Sequence, residues 1–128
     1  MLNLGLESLH VRMARHCENG QAVAEFLASH PKIAYVNYCG LPGDKYHAVA
    51  EKYLPNGSCG VVSFGVKGGR EAAAAFMGHL KIAAIETHVA DARTCCLHPA
   101  SSTHRQMNDE QLIAAGVQPD LVRMSCGL

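Results

Sequence analysis

The last apolar run of the chain, Leu121-Val122-Arg123-Met124-Ser125-Cys126-Gly127, has a single guanidinium in its middle. A charge in such a run is costly to desolvate unless it meets an anion or well-placed hydrogen-bond acceptors. Side chains along a strand alternate between faces, so Val122 and Met124 share one side and Arg123 and Ser125 the other. With valine and methionine turned to the core, the arginine faces away from it. The chain is therefore expected to build a two-faced sheet, one side closed by its own core and the other presenting a cation. On pattern alone Arg123 has two readings: a surface arginine in water or on a local carboxylate, or a fork for a ligand's carboxylate.

The preceding residues supply the rest of such a sheet. Between residues 4 and 29, Leu6, Leu9, Met13, Cys17, Val23 and Leu27 recur at steps of three and four, interrupted by Gly20. This spacing predicts one amphipathic helix of ~35–40 Å, stopped before Pro31 and long enough to reach beyond its own core. Residues 33–38 read as a strand closed by Gly40-Leu41-Pro42-Gly43. Asp44 is expected to cap a helix through Tyr46, Val49, Ala50 and Tyr53. In residues 60–66, Val62, Phe64 and Val66 line one face and Val61, Ser63 and Gly65 leave the other nearly flat. Gly68-Gly69 lacks a nucleotide-loop pattern and reads as a turn into a helix from Arg70 to Leu80.

Residues 82–89 and 93–97 are expected to form two strands joined tightly through Ala90-Asp91-Ala92, followed by a polar loop. Asn108 with Gln111 resembles a capping box for a short helix that Gly116 stops. The fold class is thus α+β: a small, mostly antiparallel sheet with helices packed on one face, preceded by a long helix, in a single domain spanning residues 1–128. The sheet face bearing Ser63, Gly65, Arg123 and Ser125 is expected to lie uncovered by this chain.

Composition excludes several functions. The 11 basic residues equal the 11 acidic ones, with no basic block, so no nucleic-acid partner is expected. No run reaches the ~20 apolar residues of a membrane span. Met1-Leu2-Asn3-Leu4-Gly5 lacks a basic secretory start, so the six cysteines are expected to be thiols in a reducing cytoplasm. Neither cysteine nor histidine spacing matches a metal motif, so no metal is expected.

Several segments in order point to a family. They are Gly5-Leu6-Glu7-Ser8-Leu9 with Arg12-Met13 and His16-Cys17-Glu18-Asn19, then Val36-Asn37-Tyr38-Cys39-Gly40-Leu41 and Gly60-Val61-Val62-Ser63-Phe64. The tightest are His98-Pro99-Ala100-Ser101-Ser102-Thr103-His104 and residues 116–127. The whole chain resembles the C-terminal domain of the pyridoxal-phosphate enzymes of cysteine and methionine metabolism. The Pro-Ala-Ser-Ser-Thr-His stretch followed by Gln106, with Lys67-Gly68-Gly69 upstream, is most similar to O-acetylhomoserine sulfhydrylase.

The resemblance implies that pyridoxal 5'-phosphate is bound by a larger preceding domain carrying the Schiff-base lysine, and that the full-length enzyme is a homo-oligomer. It implies synthesis of homocysteine and acetate from O-acetylhomoserine and sulfide in methionine biosynthesis, with no catalytic residue in this chain, which alone is inert. Cystathionine synthase or lyase, methionine gamma-lyase and a stand-alone binding module remain alternatives. By the same resemblance Arg123 binds the substrate's alpha-carboxylate, and Thr94 and Thr103 are substrate-contact positions. Thr94 stands where the family usually has serine. His98 and His104 read as structural loop residues. The family also continues past Gly127 with an acidic helix, so the chain is expected to be part of a longer protein.

Overall fold

The arginine run is the middle strand of a five-stranded sheet. The computed structural model describes all 128 residues. In chain order the elements are α1 (Leu2–Glu7), α2 (Leu9–Ser29), β1 (Ile33–Asn37), α3 (His47–Tyr53), β2 (Val61–Val66), α4 (Gly69–Gly78), β3 (Ala84–Ile85), β4 (Cys95–Leu97), a 3-10 turn (Pro99–Ser101), α5 (Asp109–Ala114) and β5 (Leu121–Ser125). The strands lie in the order β1-β2-β5-β4-β3. All neighbouring pairs are antiparallel except β3 and β4. The fold is α+β, as expected.

Alternation sets the two faces. Val62, Phe64 and Val122 are fully buried and join Cys96 in a core closed by Ala24 and Leu27 of α2 and Ala73 and Met77 of α4. Met124 packs against the same core. Phe64 meets Phe76 edge to face, with ring centroids 5.7 Å apart, a favoured geometry for aromatic quadrupoles. The opposite face of β2 is not flat. Tyr35 lies across Gly65, where a Cβ would meet its ring, and its hydroxyl donates to Asp120 Oδ1 at 3.2 Å.

Four further expectations need correction. The long helix is broken at Ser8 into α1 and α2. Arg12 reaches back over the break, its Nη2 donating to the Gly5 carbonyl at 2.6 Å and its Nε to Ser8 Oγ at 3.2 Å. Leu2, Leu4, Leu6 and Val11 nearby are more than half exposed. Gly20 does not interrupt the buried stripe but belongs to it, with His16, Ala24 and Leu27. A Cβ at Gly20 would stand 2.7 Å from the Cys59 carbonyl oxygen and 3.2 Å from Gly60 Cα, so helix backbone touches loop backbone there.

Asp44 does not cap α3. Its carboxylate accepts Tyr46 N–H at 2.8 Å and Tyr38 N–H at 3.2 Å, closing the turn one step before the helix begins. Residues 82–97 do not form a tight hairpin either. β3 and β4 are short and parallel, so the chain between them must travel back along the sheet before β4 starts. The Asn108–Gln111 capping box, by contrast, forms in both directions.

Two side chains of α2 secure the end of β5. His16 donates Nδ1–H to the Cys126 carbonyl at 2.6 Å, and Asn19 donates to the Gly127 carbonyl at 2.8 Å. A carbonyl only accepts, so the proton on the His16 ring resides on Nδ1. The helix thereby fixes where the arginine strand stops.

Gly20→Ala should force helix and loop backbones apart and lower stability by about 1–3 kcal/mol, the usual cost of overpacking. Urea unfolding with a shifted midpoint and unchanged slope would verify this; an unshifted midpoint would refute it. A second test concerns alkali. Burial raises the Cys96 thiol from the ordinary 9.0 to about 12 and the Cys126 thiol to about 11. Their folded values lie above the unfolded ones, so this stabilisation is complete below pH 9 and lost as pH climbs towards 11–12. The slope should be about 1.4 kcal/mol per pH unit for each thiol. Melting temperatures between pH 8 and 11 would reveal it, and a flat profile would sink it.

Candidate functional site

On the face away from α2 and α4, Arg123 stands in a row across three strands. Its register partners are Ser63 on β2 and Leu97 on β4. Asn37 of β1 pairs with Ser63 and donates to its hydroxyl at 3.4 Å. The guanidinium is partly buried. Its Nη2 donates to the Thr87 carbonyl at 2.7 Å, and its Nε is shielded and has no partner. No carboxylate lies within ion-pair distance of it; the arginines that make salt bridges are Arg15, Arg70 and Arg93. The cation is therefore oriented without being neutralised.

Thr87 belongs to a segment that sequence reading did not foresee as a unit. Residues 86–91 leave β3 and run along the arginine side of β5 as a strap, so this face is partly covered by the chain itself, contrary to expectation. The backbone bonds at its ends run from Glu86 N to Cys96 O at 3.2 Å and from Leu128 N to Ala92 O at 2.9 Å. Between these ties, residues 87–91 make no backbone–backbone hydrogen bond. Side chains hold the strap instead. Ala90 N–H donates to Ser125 Oγ at 2.9 Å, with Ala90 in the left-handed region at φ 58°. A residue with a Cβ occupies that region only under constraint.

The outer edge of the strap is an ion network. Glu86 takes His88 Nδ1 at 3.0 Å and Arg93 Nη2 at 3.3 Å, while Cys95 Sγ approaches its Oε2 at 3.5 Å. Asp91 lies 3.4 Å from His88 Nδ1 and accepts Arg93 N–H at 2.9 Å; that backbone bond, then the Arg93 charge, holds its carboxyl below the usual carboxylate range. The Cys95 thiol is raised, first by burial and then by Glu86. Donor atoms of Glu86, His88 and Asp91 lie within 4.8 Å of one another. Arg93 already supplies positive charge to both carboxylates, and the His88 ring bridges them. Its signal in sequence, Glu86-x-His88-x-x-Asp91-x-Arg93, fits neither helical nor strand periodicity.

The other site candidates do not gather around Arg123. Thr94 accepts Gly127 N–H on its hydroxyl at 3.0 Å, three residues before Leu97 and so ~10 Å along the strand from the arginine's row. Thr103 is exposed in the loop after the 3-10 turn, its hydroxyl 2.8 Å from His104 Nδ1. His98 is buried, with Nε2 on the Pro119 carbonyl at 2.9 Å and Nδ1 on Ser101 Oγ at 2.7 Å. Both its nitrogens are engaged, which ties the loop to the segment entering β5. Arg70, read in the sequence only as the start of a helix, reinforces this loop by donating to Asp109 at 2.9 Å and to the Ala100 carbonyl at 3.0 Å.

A family of known enzymes matches this chain throughout. The model of the Cys/Met metabolism PLP-dependent enzymes covers residues 1–128. The chain is 45% identical over 125 residues to O-acetyl-L-homoserine sulfhydrylase 1 of Thermus thermophilus, covering 98% of this chain and 30% of that protein. It is 40% identical to L-methionine gamma-lyase of Fusobacterium nucleatum, covering 97% of this chain and 31% of that one. Among solved structures it is similar to a Campylobacter jejuni protein described as an O-acetylhomoserine (thiol)-lyase and containing a pyridoxyl-lysine phosphate. The TM-score is 0.89 at 37% identity, over 98% of this chain and 30% of that one. The chain thus spans about 30% of the length of the relatives it matches.

Ala90→Gly should relieve the left-handed strain and raise stability by about 1 kcal/mol. A higher melting temperature would bear this out; a lower one would show that the Ala90 methyl contributes more by packing than it costs in backbone strain.

Proposed function

Because this chain belongs to the Cys/Met metabolism PLP-dependent enzyme family, we propose that it is the C-terminal, carboxylate-gripping domain of a sulfhydrylase that converts O-acetylhomoserine and sulfide to homocysteine and acetate. One observation carries the reading. Arg123 is partly desolvated on the face away from the helices, is aligned by a backbone carbonyl, and is paired with no carboxylate of its own. A planar guanidinium so placed suits a bidentate grip on an alpha-carboxylate. Holding that group fixes how the alpha carbon is presented to the chemistry, which bears on rate as well as affinity.

The residues present do not make a cofactor site. All five lysines (Lys32, Lys45, Lys52, Lys67 and Lys81) are exposed, so none is placed to form a buried Schiff base. Pyridoxal phosphate supplies the electron sink of the family's chemistry, and in this reading a preceding domain of the same protein holds it. That domain meets the arginine face of the sheet, the complete enzyme is a homo-oligomer, and the isolated chain is inert. Thr94 and Thr103 are proposed as contacts made once the preceding domain and substrate are in place. The setting is cytoplasmic methionine biosynthesis. Likeness to the methionine gamma-lyase supports a second reading, elimination from methionine. Assaying the full-length protein with O-acetylhomoserine plus sulfide and, separately, with methionine alone decides between them.

In the full-length protein, Arg123→Ala should lower kcat/KM for the amino-acid substrate about tenfold to a hundredfold, the worth of one charge-assisted hydrogen bond or slightly more. Arg123→Lys should recover only part of the loss, because lysine keeps the charge without the fork. The absorbance of the bound cofactor should stay unchanged. Unaltered kinetics in both variants would remove the assignment.

A further inference from the structure

We propose that Ser125 is a positioning residue for the Arg123 clamp, acting through the strap that the two side chains hold jointly. The inference rests on the carboxylate-clamp reading of Arg123 and adds the residue that keeps the clamp aligned.

Arg123 and Ser125 project from the same face of β5, two residues apart, and each takes one backbone group of the strap. Arg123 donates to the Thr87 carbonyl at 2.7 Å, and Ser125 accepts Ala90 N–H at 2.9 Å. The backbone ties stop at Glu86 and Ala92, so these two bonds are what fasten the strap's centre to the strand. Asp91 and His88 bind Glu86 and Arg93 at the edge, and neither reaches β5.

The rungs are interdependent. Ala90 sits in a left-handed conformation that needs a restraint, and the Ser125 hydroxyl supplies one from a site 1% exposed. Removing that hydroxyl leaves the Ala90 N–H without its acceptor, and a shielded donor seeks water if it can. The strap then lifts at Ala90 and carries the Thr87 carbonyl away from Arg123. A guanidinium on a flexible stem that loses its orienting acceptor must be ordered by the ligand instead, which weakens binding. Ser125 itself is 1% exposed and touches no ligand in this scheme. Its effect is on alignment.

Room exists for a conservative control. Ser125 borders a small cavity of about 120 Å³ that Met13, Gly60 and Val89 also line, so the extra methyl of threonine has space there.

The test uses the full-length holoenzyme and four variants, Ser125→Ala, Ser125→Thr, Ser125→Cys and Arg123→Lys. Two quantities are measured: steady-state kinetics for the amino-acid substrate, and hydrogen–deuterium exchange of the peptide covering residues 86–91. Ser125→Ala should raise KM about threefold to tenfold, near the worth of one neutral hydrogen bond, with a smaller change in kcat. It should also speed exchange of the strap. Ser125→Thr should restore both, and Ser125→Cys, nearly the same shape with a weaker acceptor, should fall between and serves if the alanine variant does not fold. Faster exchange with an unchanged KM in Ser125→Ala, while Arg123→Lys still weakens the substrate, would overturn the positioning role and leave the clamp standing. An unchanged KM in Arg123→Lys would fell both. Unchanged exchange in Ser125→Ala would show that the strap does not depend on the hydroxyl and would also overturn the proposal.

Discussion

Strand β5 lies between β2 and β4, and the alternation of its side chains organises both halves of the molecule. Val122 faces the helices and is fully buried, anchoring the central strand to the core that α2 and α4 close. The next residue must then point outwards, and it is an arginine. Because β5 is hydrogen-bonded on both sides, it cannot slip by one residue without exchanging Val122 for Arg123 in the core. That exchange would bury a cation among apolar side chains at a cost of several kcal/mol. The apolar core and the outward cation thus enforce each other's register. His16 and Asn19 add a stop at the strand's end, through the carbonyls of Cys126 and Gly127.

The second organising fact is which acceptor Arg123 receives. Glu86 is adjacent in sequence to Thr87, whose carbonyl the guanidinium meets. Had the Glu86 carboxylate turned inwards, the arginine would have been neutralised by its own chain. It turns instead to His88 and Arg93, and Asp91 does likewise. Arg93 in effect satisfies the local acidic groups and spares Arg123. A carbonyl dipole fixes the direction of a guanidinium while leaving its net charge available to an anion, which a carboxylate would not do.

Most of the scaffold was legible because it depends on local periodicity and turn chemistry. The alternation in 61–66 and 121–125, the capping box at Asn108 and the Gly116 stop are short-range signals, and each appears in the structure. The misreadings of Gly20 and of the strap involve long-range contact. Gly20 reads as a fault in an apolar stripe until the Cys59 carbonyl is seen against it, after which the absence of a side chain becomes the requirement. The strap was illegible for the same reason: two of its anchors, Arg123 and Ser125, lie more than thirty residues away. The family resemblance supplied a role for Arg123 that spacing alone left open, yet it was silent on what aligns the residue.

Side-chain anchoring of the strap has a physical consequence that a backbone ladder would lack. A ladder of amide bonds opens cooperatively, because each bond fixes the register of the next. Two side-chain rungs form no such ladder, and together they are worth only a few kcal/mol net. The segment over Arg123 is therefore ordered in the resting fold but inexpensive to displace by a fraction of an ångström. A clamp of the kind proposed for Arg123 needs that combination. Its cation must be pre-aligned so that the ligand does not bear the full entropy of ordering it, and the covering chain must give way as the carboxylate enters. The core beneath, with Val122 and Phe64 fully buried, supplies the rigidity the strap itself does not have.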